Sequence, residues 1–190
     1  MFKATCVAFA LLFSLTAIGL YLYVGLHGFS ARDKPAQLEQ WLAKRARRLA
    51  IPPNIRNLKN PVSPTPLNLA QARDHFADHC ALCHANNGAG NTVINSGLYP
   101  PAPDLRAGGT QELSDGEILY IIKNGIRFTG MPGWGGDGQE NWKLVLFIRH
   151  LPALTNQEIQ LMNAINGLED KGAKAHSHAT DERESKQHAH

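Results

Sequence analysis

Apolar positions crowd the start of the chain and all but vanish at its end. Ala4 to Leu26 runs for 23 residues without a charge. As a helix rising ~1.5 Å per residue, that run is roughly 35 Å long, against a bilayer hydrocarbon core of about 30 Å. Tyr21 and Tyr23 stand near its C-terminal end, where aromatic side chains suit a membrane interface. A cleaved leader has a shorter apolar region and small residues before the cut, and the best local cut, after Ala31, puts Phe29 where a small residue is wanted. The run therefore reads as an uncleaved anchor, with Cys6 a small apolar residue inside it. Lys3 precedes the run and Arg32 and Lys34 follow it, so basic residues do not set its orientation.

A second pattern follows. Pro35 opens a stretch with helical period, Ala36 to Ala50, that gathers Leu38, Trp41, Leu42, Arg45 and Leu49 near one face and Lys44, Arg45, Arg47 and Arg48 in its second half. Two readings stand: a helix lying on anionic headgroups, or a solvated spacer whose cations complement the helix dipole. Ile51-Pro52-Pro53 ends it. The segment from Asn60 to Pro66, with three prolines in seven residues, excludes helix and central strand, and it reads as a linker. Helical patterns resume over Leu69 to His79 and at Ile159, Met162 and Ile165. From Ala175 onward almost nothing is apolar.

Charge sharpens this division. The formal net charge of +3 conceals eight Lys and Arg against two Asp and Glu over Arg32 to Asn60, and six against nine over Pro61 to Ile165. A nucleic-acid reader carries its cations on the folded domain; here they sit beside the membrane-length run, and a nucleic-acid partner is not expected. Three cysteines cannot form a disulfide framework, and 190 residues leave room for one ordinary core.

Two of those cysteines lie in Cys80-Ala81-Leu82-Cys83-His84. Thiols three positions apart on a helical turn can both add to the vinyl groups of one haem, and the following imidazole then falls under the iron; C-x-x-C-H is the attachment signature of c-type haem. A redox dithiol should follow a strand, whereas this pair follows a helical pattern, and a zinc site needs a further pair of ligands that the sequence lacks. His75 and His79, preceding the pair, read as solvated surface residues. A second axial ligand belongs on a separate loop. Met1 is in the anchor and Met162 belongs to a packed helix face. Met131, in Thr129-Gly130-Met131-Pro132-Gly133, occupies a turn where glycine permits close backbone approach, and it is the candidate ligand.

On these residues, the segment from about Leu67 to Leu154 resembles a class I monohaem cytochrome c of the bacterial, membrane-anchored kind. The resemblance implies an all-α cytochrome c fold, three to five helices around one covalent haem c, preceded by the transmembrane helix. Phe76 matches the aromatic that packs the family's first helix on its last, and Gly88 and Gly90 match the loop after the attachment site. Pro103 matches the proline whose carbonyl accepts from the proximal histidine Nδ1–H, a bond that fixes the tautomer. Glu117 to Ile126 becomes the middle helix. Glu140 to Leu151 becomes the closing one, with Trp142, Val145, Leu146 and Phe147 facing inward. The loop from His84 to Pro103 is longer than the family's compact form, Ala72 stands where glycine is common, and Tyr99, Arg106 and Trp134 are chemically able to meet propionates.

The division expected is residues 1–31 as anchor, 32–66 as basic helix and linker, 67–165 as cytochrome domain, and 166–190 as a disordered tail. The cofactor expected is a single haem c attached at Cys80 and Cys83 and ligated by His84 and Met131. The expected function is not enzymatic: single-electron transfer at the bacterial inner membrane, with the domain facing the periplasm and donor and acceptor belonging to a respiratory or oxidase complex, of which the chain can be a subunit. A gas or redox sensor or a peroxidase-like enzyme is the alternative, requiring Met131 to leave the iron. The tail's His176, His178, His188 and His190 add a metal-handling possibility over a plain solvated tail.

Overall fold

A computed structural model describes residues 2–136 and 138–168. The expected tail falls outside the described residues apart from 166–168. Secondary structure is all helical among the described residues, and the chain divides into two units, 1–33 and 34–190.

The first unit is helix α1, Phe2–His27. None of the side chains over Thr5–Leu26 is buried, so this helix has no core of its own to face, and it is long and apolar enough to cross a membrane. The Thr16 hydroxyl donates to the Leu12 carbonyl at 2.8 Å, leaving its polar atom satisfied within the helix.

The second unit opens with α2, Gln37–Ala50, and the single turn α3, Pro53–Arg56. Helix α4, Pro66–His75, starts where Thr65 accepts from the Asn68 N–H at 3.2 Å, with Pro66 in the first turn, where its missing N–H costs nothing. It runs on through a π-turn, Phe76–Cys80, into the short α5, Ala81–His84. After a long loop come α6, Gly108–Gln111, and α7, Asp115–Asn124. In α7, Ser114 and Glu117 cap each other's backbone N–H reciprocally. Helix α8, Gly138–His150, and α9, Asn156–Asn166, complete the unit.

The core forms where α4 and its π-turn cross α8. Phe76 and Phe147 are both buried, their rings 5.2 Å apart and inclined at 55°, and Ala72 and Val145 fill the same crossing. Phe76, Phe147 and Val145 each contribute roughly 1.5–3 kcal/mol of transfer free energy, and the Ala72 methyl about 0.8 kcal/mol. The inward face of α8 is Asn141, Leu144, Val145, Phe147 and Ile148, while Trp142 and Leu146 are only half-buried. Met162 of α9 is fully buried, as its helical spacing required. Arg149 staples α8 to α7 and its approach, donating to Asp115 Oδ1 at 3.0 Å, to the Gln111 carbonyl at 2.7 Å and to the Leu113 carbonyl.

Two boundaries differ from expectation. The domain starts earlier than the expected residue 67: residues 51–60, ending on Asn60 at the head of the segment read as linker, form a strap fastened to it. Ile51 is buried, the Ser114 hydroxyl donates to the Arg56 carbonyl at 2.6 Å, and Asn60 Nδ2 donates to the Trp142 carbonyl at 2.8 Å. Domain side chains pair backbone groups of the strap, Ser114 the Arg56 carbonyl and Asp115 the Asn60 N–H. At the other end, Asn166 and Leu168 belong to the fold: Asn166 Nδ2 donates to the Ala77 carbonyl at 2.9 Å, and the Leu168 carbonyl accepts from Asn86.

Candidate functional site

Cys80, Cys83 and His84 end the α4–α5 rod, and the π-turn before them inserts one extra residue per turn just where the thiols begin. Neither cysteine is in a disulfide. Burial, then the neighbouring Cys83, pushes the Cys80 thiol up to about 12, and burial raises Cys83 as well. A redox dithiol works through a depressed thiolate, and this pair is shifted the opposite way. No group of three or more His, Cys, Asp or Glu side chains suited to a metal ion occurs among the described residues, which removes the zinc reading there.

His84 is buried, and burial holds its imidazole below the usual pKa while the Pro103 carbonyl pulls it upward. Its Nδ1 is nonetheless a buried nitrogen without a hydrogen bond of normal geometry. A neutral imidazole facing a carbonyl on its Nδ1 side has its Nε2 lone pair free for a metal.

The long loop between His84 and Pro103 is organised by a residue that the sequence did not single out. Asn95 is buried; its Nδ2 donates to the Gly90 carbonyl at 2.5 Å and the Ala102 carbonyl at 3.1 Å, and its Oδ1 accepts from the Ala102 N–H at 2.5 Å. The start of the loop folds back where the Gly90 N–H reaches the His84 carbonyl at 2.8 Å and the Leu105 N–H reaches the Gly88 carbonyl at 2.8 Å. Gly90 has φ +76° and a Cβ there would lie 2.9 Å from the Ala102 oxygen, so only glycine fits. The extra loop length is thus absorbed by one side-chain amide, and Pro103 still arrives at His84. Nothing in the sequence distinguishes Asn95 from its polar neighbours, because its role depends on carbonyls five and seven residues away.

Met131 is half-buried on a loop clamped to the end of α7. The Ile126 N–H donates to the Met131 carbonyl at 3.1 Å, and the Trp134 N–H to the Ile122 carbonyl at 3.0 Å. Gly125, at φ +68°, passes so near that a Cβ would stand 2.6 Å from the Met131 oxygen. Two contacts bring this loop beside the segment from His79 to Pro103. The rings of His79 and Trp134 meet edge-on at 5.3 Å, and Gly130 lies against Leu98. His79 is exposed as expected. His75 is half-buried and its ring meets His79 edge-on at 4.9 Å, so it packs behind the histidine that touches Trp134 rather than standing free in solvent. Of the residues considered for propionates, Tyr99 donates to Glu39 at 2.5 Å and Arg106 pairs with Asp104 at 2.8 Å.

An all-helical domain with two thiols and a buried neutral histidine on one turn is a c-type cytochrome domain, and its single C-x-x-C-H is consistent with the monohaem class I type. Residues 67–148 match the family described as cytochrome C oxidase, cbb3-type, subunit III. No match was found among curated proteins. The domain carries haem c covalently and serves as a haem-based electron carrier.

Proposed function

We propose that this protein is a membrane-anchored relay that passes single electrons on the periplasmic side of the bacterial inner membrane, between a donor and an acceptor of a respiratory or oxidase complex. Cys80 and Cys83 are the thioether attachment points, His84 and Met131 the axial ligands, and Pro103 the acceptor for His84 Nδ1–H. The observation that carries this reading is the buried His84, its Nδ1 beside Pro103, on the same turn as the two thiols, with the clamped Met131 loop meeting the same helical rod where Trp134 touches His79.

Bound haem supplies a one-electron iron couple. The chain's own residues do the rest. Burial keeps the His84 imidazole neutral and therefore ligating. The Pro103 carbonyl holds the proton on Nδ1 and raises the basicity of the other nitrogen. The Met131 thioether is a soft donor that favours the reduced state, and the backbone clamp at Gly125 keeps it from swinging away. His84 and Met131 would both hold the iron from the chain itself, which suits a carrier rather than an enzyme. Helix α1 anchors the carrier, restricting its search to the membrane plane.

Optical spectra of the oxidised holoprotein test the ligand set. The weak far-red sulfur-to-iron band should be present, Met131→Ala should abolish it and lower the potential, and Met162→Ala should leave it intact. The reverse pattern would reject Met131 as ligand. Intact mass of the detergent-extracted protein tests the anchor: a mature N-terminus near Arg32 would reject it.

A further inference from the structure

Helix α2 is the one amphipathic element that the electron-transfer reading leaves without a task. At 100° per residue, Leu38, Trp41, Leu42 and Leu49 fall on one stripe, with relative exposures of 68, 54, 52 and 84%. Arg47, diametrically opposite, is the single half-buried side chain of α2, so the opposite face turns to the domain and the apolar stripe turns away from it. Nothing among the described residues of the domain covers that stripe. Cations accompany it: Arg45 lies within the stripe, its guanidinium 5.6 Å above the Trp41 ring, and Lys44 and Arg48 line one edge. Glu39, the single acidic residue of α2, accepts from Tyr99 and faces inward.

We propose that α2 is a membrane-surface helix, its apolar stripe seated at the headgroup boundary of an anionic bilayer with Lys44 and Arg45 on the lipid phosphates, while Arg48 stays within 3.8 Å of Glu117 of the domain. The pairing of exposed leucines and a tryptophan with long-stemmed cations is what such an interface binds: the stems extend over apolar surface while the charges reach anionic headgroups. The inference rests on α1 being a retained anchor. Nine residues, 28–36, separate α1 from α2, a reach of at most about 30 Å, so the bilayer holding α1 is always available to α2. Helix α2 is in turn pinned to the haem domain, by Tyr99 on Glu39 and by Arg56, which donates to the Arg48 carbonyl at 2.6 Å and the Ile51 carbonyl at 3.0 Å. Seating α2 therefore fixes how the domain is presented to membrane partners, in place of a globule swinging on a free spacer.

Spin labels on the full-length holoprotein, in a Cys6→Ser background, test this. Leu42→Cys reports the stripe, Ala43→Cys the domain-facing side and Leu15→Cys the middle of α1, each read by collision with oxygen against a water-soluble nickel chelate. In vesicles with one third anionic lipid, the oxygen-to-nickel ratio at Leu42 should rise about tenfold over that in wholly zwitterionic vesicles, with no such rise at Ala43. K44E/R45E, which leaves Arg48 near Glu117 untouched, should abolish the rise while the label at Leu15 stays lipid-buried. A water-exposed Leu42 beside a lipid-buried Leu15 overturns the proposal and leaves the anchor standing. A water-exposed Leu15 overturns both. Protection of Leu42 that is equal in both lipids and grows with protein-to-lipid ratio means a protein covers the stripe, and it too overturns the proposal.

Discussion

The backbone of Gly116 runs so close to the carbonyl of Ile55 that a Cβ on the glycine would lie 1.8 Å from the oxygen and 3.3 Å from Leu58 Cβ. This contact, at the first turn of α7, seats the strap against the helix that leads to the Met131 loop. The strap and the site are thereby mechanically joined, although 61 residues separate Ile55 from Gly116 in the chain.

Gly116→Ala should accordingly lower stability by roughly 1–3 kcal/mol, the cost of forcing a methyl group into a filled contact. Gly109→Ala, where a Cβ meets nothing within 4 Å, should cost little. Chemical denaturation of the two holoproteins makes the comparison, and hydrogen exchange should show faster opening of residues 51–60 in Gly116→Ala alone.

Phe76→Ala should cost about 3–5 kcal/mol, because the ring is fully buried against Phe147 at the α4–α8 crossing. The same cavity lies four residues before Cys80, so the variant should accumulate less haem-loaded protein than wild type. Haem yield per polypeptide, measured as the pyridine adduct, checks this.

Asn95→Ala leaves the Gly90 and Ala102 carbonyls and the Ala102 N–H without their side-chain partner, at a cost of about 1–3 kcal/mol. The loop that delivers Pro103 should loosen, and the reduction potential should move while the far-red band persists. A potential identical to wild type would show that Asn95 braces the loop without positioning Pro103.

Glu158 sets a pH dependence. Burial pushes its carboxyl up, but the Thr155 N–H at 2.9 Å, the Thr155 hydroxyl at 2.7 Å and His150 at 2.8 Å together outweigh burial and hold it below its ordinary value of 4.5. Because the folded value lies below the unfolded one, the carboxylate stabilises the fold above the unfolded pKa and this contribution is lost as pH falls through the folded value. Glu158→Ala should cost about 1 kcal/mol at pH 7 through loss of the capping box, and the gap from wild type should close as the solution is acidified below about pH 4. Thermal unfolding across that range measures it.

Much of this molecule could be read from local pattern. The apolar run, the basic amphipathic helix, the thiol pair with its histidine and the glycine-flanked Met131 depend on residue types at short spacing, which covalent geometry and helical period translate directly into shape. Ser114 and Thr155 each announce a helix start with a glutamate three residues on. Phe76 and Met162 read as core, and they are core.

What the tertiary structure decided is where polar groups find partners across long separations. Proline content kept residues 60–65 out of helix and strand, with Pro66 opening α4, but only folding brought Ser114 and Trp142 to the strap, 58 and 82 residues away from Arg56 and Asn60. Asn95, Asn86 and Gln111 carry no local signal, because an amide in a loop is ordinary until a buried carbonyl needs it. The direction in which α2 turns its apolar stripe was likewise undecided until Arg47 and Glu39 met the domain, since a helical stripe has a period and no address. Local composition dictates which surfaces must be covered, and only the folded chain shows which are covered and which stay open.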